Sequence, residues 1–174
     1  MVVGSWNTKT FENWWLIKLG LSQNNFSTEA TKAGNNYEHK ILQALNIPDL
    51  EMDKQIIIDR LRVNLDGNSE DCIYEVKTHK IEKEFKVSKQ YWRQAQVEMY
   101  AYNTRNLYIV AYALNEDDYN NYFNAIDIDR IKFNKVEYDE QFINNEYLPR
   151  LQILSECLKK GVFPSANYTE QLMI

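Results

Sequence analysis

Cysteine, histidine, proline and glycine are all scarce in this 174-residue chain, with two, two, three and five copies. Cys72 and Cys157 lie far apart and form no C-x-x-C pair, and only His39 and His79 could assist them, so neither a zinc site nor an iron–sulfur cluster has its ligands. Both cysteines are expected to be reduced thiols. Few prolines and glycines, and no repeat or low-complexity tract, leave no candidate linker. Long hydrophobic runs are missing too: "LYIVAYAL" at 107–114 is among the longest, far short of a bilayer span. The opening "MVVGSWNTK" lacks the basic, apolar, small order of a signal peptide. These absences lead us to expect a soluble, cytoplasmic protein with no membrane partner.

What is present is enough for a core. With 44% apolar residues and 13% aromatics, a single domain over 1–174 is expected. The net charge of −5 argues against a polyanionic partner, but its distribution is uneven. Between Lys77 and Arg105 seven Lys/Arg face three acids, whereas between Glu116 and Glu146 nine acids face three bases. One surface can therefore attract phosphate while another repels it. Lys80, Lys83, Lys86, Lys89 and Arg93 are the candidate phosphate-binding residues of the basic stretch; a solvated loop is the plain alternative.

Periodicity gives a mixed α/β order. Helices are expected near 8–20, 30–45, 88–103, 116–124 and 139–160, with strands near 55–65, 72–79 and 107–114 and a strand pair near 126–138. Ser88 is a natural N-cap, Gly161 a natural stop, and Pro149 should kink or break the last helix. In the first helix, Phe11, Trp14, Trp15 and Leu19 read as core.

The stretch "IIIDRLRVNLDGNSEDCIYEVKTHK" (56–80) reads as two strands around an Asp-Gly turn. A turn centred on Gly67 sets Asp59 opposite Glu75 and Ile57 opposite Lys77, so two carboxylates and an amine interrupt one apolar face. A one-residue slip would undo that face. Adjacent carboxylates raise each other's pKa and need a positive partner. Either Lys77 alone supplies it, as an exposed salt-bridge cluster, or a divalent cation does. Glu38, on the flank of the helical stripe Tyr37, Ile41, Ala44 and Leu45, is directed toward the same edge, and Gln94 and Gln96 flank the stripe of the 88–103 helix.

In order, "GNNYE" (34–38), "IIIDR" (56–60), "YEVKT" (74–78) and "YWRQAQVEMY" (91–100) resemble the PD-(D/E)XK nuclease superfamily, within it the lambda exonuclease and YqaJ-like viral recombinase group. The resemblance covers about 140 residues. It implies an α+β, restriction-endonuclease-like core with a central mixed sheet flanked by helices. It also implies a metal-dependent exonuclease of linear, double-stranded DNA in phage-type recombination.

By that resemblance Asp59 and Glu75, with the Val76 carbonyl, would hold Mg²⁺ or Mn²⁺. Lys77 would orient the attacking water and stabilise charge, Glu38 would serve a second metal or its water shell, and Gln94 would fix Lys77 and the water. Gln96 fits instead a Gln-x-x-x-Tyr reading with Tyr100. A single-strand annealing protein and a trimeric ring are the implied partners. Members of the group usually carry an N-terminal arginine that grips the 5′ phosphate, whereas no arginine precedes Arg60 here. A non-catalytic DNA-binding module that keeps the fold, and a site-specific endonuclease, are the competing functions.

Overall fold

The computed structural model describes residues 1–23 and 28–164. They form two compact units, one from the described residues of 1–26 and 139–174, the other from those of 27–138.

In the first unit, helix α1 (Lys9–Lys18) begins at Thr8, whose hydroxyl accepts from the Phe11 N–H at 3.1 Å. Phe11 and Trp15 enter a core with Ile153, Leu154 and Cys157, and Trp14 and Leu19 pack at its margin. Full burial of each large apolar side chain contributes about 1.5–3 kcal/mol. The Arg150 guanidinium lies 4.2 Å over the Trp6 ring and donates to the Val2 and Gly4 carbonyls. The expected disturbance around Pro149 takes a specific form: Phe142–Tyr147 is π-helical, and the α-helix, Leu148–Lys160, restarts with proline in its first turn. Proline has no N–H to donate and its ring crowds the preceding turn, which a widened turn relieves. The helix stops at Gly161, which has φ +66°.

The second unit is a five-stranded mixed sheet in the order β1-β2-β3-β4-β5, made of Glu51–Ile58, Leu61–Asn68, Cys72–Lys80, Asn106–Leu114 and Ile131–Val136. All neighbours are antiparallel except β3 and β4, which run parallel because helix α3 (Lys89–Tyr102) crosses over between them. Ser88 caps that helix as expected. Helix α2 (Glu29–Ala44) lays Ala33, Tyr37, Ile41 and Leu42 against Val76, Val110, Tyr112 and Leu114. Gln94 of α3 reaches Glu75, which alternates with Val76, so the two helices cover opposite faces. The expected strand pair near 126–138 is one strand, β5, preceded by a 3₁₀ turn at Ile128–Arg130.

The hairpin differs from expectation. Its turn is at Asp59 and Arg60, between β1 and β2, and not at Gly67. Asp59 has φ +49°, a conformation that a short polar side chain tolerates, and it is exposed. Ile57 pairs with Arg62 rather than Lys77. Gly67 lies inside β2, because a Cβ there would stand 2.9 Å from Leu42 Cδ2 and 3.3 Å from Leu50 Cδ1. The "DG" pair thus marks a close approach of α2 to the sheet, not a turn.

Candidate active site

With Gly67 facing Tyr74 and Asn68 facing Ile73, the β2–β3 register carries Asp66, not Asp59, to the position beside Glu75. Those two pairs make up the backbone ladder between the strands. Beyond it the side chain takes over: Asp66 Oδ2 accepts the Val76 N–H at 2.8 Å. Asp59, expected beside Glu75, is instead at the exposed turn, and Asp66 takes that place. Sequence reasoning missed it because the Asp-Gly pair was assigned to the turn.

Glu75 is 2% exposed and sits among charges. Its Oε1 accepts from the Lys77 ammonium and, at 2.6 Å, from Gln94 Nε2. The same Gln94 nitrogen donates at 2.8 Å to Oε1 of Glu98, also 2% exposed. The charge of Glu75 acts on Asp66, and that of Glu98 acts on Glu75. Burial, then the neighbouring carboxylates, raises all three acids: Asp66 to about 7, Glu75 to about 8 and Glu98 to about 7. Burial alone would lower Lys77, but Glu75 reverses this and holds it in the ammonium form.

Glu38 is half-buried. Its carboxyl is raised first by burial and then by Asp66, with Lys77 opposing, so it shares the field of the same cluster. Glu38, His39 and Asp53 bring donor atoms within 4.8 Å of one another. That group is partly exposed, and His39 Nε2 already contacts Asp53 at 3.1 Å.

The structure thus brings together Glu38, Glu75, Lys77 and Gln94 from the sequence expectation, with the Val76 backbone alongside, and adds Asp66 and Glu98. It separates Gln96, which is fully buried and donates to the Glu137 carbonyl at 2.8 Å. Glu98 was legible only as one more residue of "QAQVEM"; its i, i+4 spacing from Gln94 was the available signal.

The charge balance of this set suits a divalent cation. Asp66, Glu75 and Glu98, when ionised, carry three negative charges against one from Lys77, a deficit of two. Glu75 Oε2 and Glu98 Oε2 are buried with no hydrogen-bond donor. Buried carboxylate oxygens without donors need a proton or a cation nearby.

The basic stretch forms the exposed connection from β3 to α3. Lys80, Lys83, Lys86 and Lys89 are exposed, and Arg93 is half-buried. Phe85 in this connection stacks on Tyr91 with ring centroids 6.1 Å apart, and Lys77 Nζ lies 5.4 Å from the same ring. The lysine-rich segment is therefore anchored beside the carboxylate cluster. Among the described residues, no helix is long and apolar enough to cross a membrane.

No family model matches the chain, and no curated protein does. Among solved structures, the chain is similar to a phage-related exonuclease from Haemophilus somnus 129PT, with a TM-score of 0.60 and 17% identity over 95% of this chain and 83% of that one. The mixed five-stranded sheet with its helices has a nuclease-like α+β fold.

Proposed function

We propose that this protein is a Mg²⁺- or Mn²⁺-dependent deoxyribonuclease that degrades linear duplex DNA from its ends. The observation that carries this reading is the cluster of buried Glu75 and Glu98 with half-buried Asp66, offset among the described residues by the Lys77 ammonium and leaving two carboxylate oxygens without donors. The nuclease-like fold supports it.

Asp66 and Glu75 would hold the cation, with the Val76 carbonyl as a neutral ligand. When bound, the cation polarises the scissile phosphate and lowers the pKa of a bound water. Lys77, held as an ammonium by Glu75, orients that water and offsets the charge that develops on the phosphate oxygens. Glu38 faces the same field from α2 and would serve a second cation or its water shell. Gln94 fixes the Glu75 carboxylate. Lys80, Lys83, Lys86, Lys89 and Arg93 would line the path of the DNA backbone. A single-strand annealing protein as partner and a trimer as assembly belong to the same proposal.

Incubation with end-labelled linear and closed circular duplex DNA, with Mg²⁺ and with EDTA, tests it. Cation-dependent loss of the linear substrate with circles intact is expected. Cleavage of circles at discrete positions would indicate an endonuclease. Binding without cleavage under either cation would indicate a DNA-binding module.

A further inference from the structure

We propose that Glu98 is a positioning residue: it holds the Gln94 amide in the one orientation that serves Glu75, and so presents the free Glu75 oxygen to the cation. The inference rests on the metal reading of the site. A glutamine amide has a donor end and an acceptor end, and a single neighbouring carboxylate leaves its torsion only partly determined. Here one nitrogen donates to two carboxylates, Glu75 Oε1 at 2.6 Å and Glu98 Oε1 at 2.8 Å, which uses both of its hydrogens. Turning the amide over would point its oxygen at two acceptors, so the pair of glutamates locks it.

Glu98 reaches Gln94 from one helical turn away, on the same face of α3. Lys77 also donates to Glu75 Oε1. With Oε1 held by both donors, Oε2 is the Glu75 oxygen left for a ligand, and it is buried without a partner. Partners that orient metal-binding side chains in this way typically change metal affinity or activity by about 10- to 100-fold when removed.

The test is Mn²⁺ binding to the whole protein by titration calorimetry, with melting of the metal-free form alongside. Glu98→Ala is expected to weaken Mn²⁺ binding by roughly tenfold or more. Glu98→Gln keeps an oxygen that accepts from Gln94 while removing one charge near the cation, so its affinity should fall between those of wild type and Glu98→Ala. Gln94→Ala should show the defect of Glu98→Ala, and the double variant should be no worse than Gln94→Ala, because both act through one contact. Where Glu98→Ala does not fold, Glu98→Leu fills the volume without an acceptor and serves the same purpose. Unchanged Mn²⁺ affinity in Glu98→Ala with a shifted metal-free melting temperature would make the role purely structural and overturn the inference. Glu98→Gln as weak as Glu98→Ala would overturn it too, in favour of direct ligation or charge. A wild type that binds no Mn²⁺ would remove the metal reading and this inference together, whereas wild-type binding unaffected at Glu98 removes only the latter.

Discussion

Asp66 accepts the Val76 backbone N–H at 2.8 Å, the place that a carbonyl of the neighbouring strand would take in a continuous ladder. One carboxylate oxygen is thereby committed to the sheet, and the side chain is aimed at Glu75. Asp66→Asn should therefore abolish the rise in melting temperature that Mn²⁺ gives the wild type, because it removes a ligand charge, while its amide oxygen still accepts from Val76. Relief of carboxylate crowding should leave metal-free stability level or higher, by about 1 kcal/mol. Asp59→Asn, at the exposed turn, should keep the Mn²⁺ response and change stability by less than about 0.5 kcal/mol. Thermal melts of the three proteins with and without Mn²⁺ decide the matter; loss of the response in Asp59→Asn alone would restore the other aspartate.

The buried acids also fix a pH dependence. Burial, then like charge, raises Asp66 to about 7 and Glu75 to about 8, so between their ordinary values near 4 and these values the folded state binds more protons than the unfolded one. Their contribution to stability is full below the ordinary values and is lost as pH rises through about 7 to 8. The metal-free protein should lose stability over that interval more steeply than Asp66→Asn. Mn²⁺ replaces the protons, so the gap between metal-free and Mn²⁺-bound melting temperatures should widen with pH. Melts at several pH values check both trends, and a gap that narrows with pH would contradict the site.

Asp118 provides a structural contrast. Burial alone would raise its carboxyl, yet the Arg130 guanidinium at 2.6 Å, the Asn115 N–H and Asn124 hold it below the usual range. Tyr37 donates toward it at 3.4 Å, and burial followed by the Asp118 charge pushes that phenol up to about 12. Asp118→Ala would leave Arg130 with only the more exposed Asp127 and the Ala113 carbonyl, and should cost about 1–3 kcal/mol. Urea unfolding reads this directly, with Mn²⁺ affinity unchanged in the folded fraction.

The lysine-rich connection makes a prediction about salt. Changing Lys80, Lys83, Lys86 and Lys89 together to Ala should weaken DNA binding and flatten its dependence on salt, by at most about 0.9 for each phosphate that is no longer neutralised. Binding isotherms at several salt concentrations measure this. An unchanged slope would return the segment to the role of a solvated loop.

Much of this was legible in the chain because local signals agree with tertiary placement. Ser88 caps α3 as its sequence indicates, and Tyr37 and Ile41 of the expected α2 stripe are buried, joined by Ala33 and Leu42 in place of Ala44 and Leu45. Glu75 and Lys77 fell on the right face because alternation within one strand needs no partner. Asp66 did not, because its place depends on how two strands align, and that alignment is set by the approach of Leu42 to Gly67, a contact between distant segments. An Asp-Gly pair is equally natural in a turn and in a strand crowded by a helix. The same limit hid Glu98, whose burial follows from the packing of α3 over β3, and merged β5 with its preceding turn into a strand pair.

Only two residue pairs of backbone ladder fasten β2 to β3, while β1 and β2 zip together along most of their length. The hairpin can therefore open at its base without melting the sheet, as a subglobal unit of lower free energy than the strands β3 and β4. Amide exchange should fall into two classes, with β3 and β4 protected to the limit of global unfolding and β1 with distal β2 exchanging sooner. Because Asp66 hangs from that opening edge, a bound ion would act as a staple across it, and the hairpin amides should slow the most when Mn²⁺ is added.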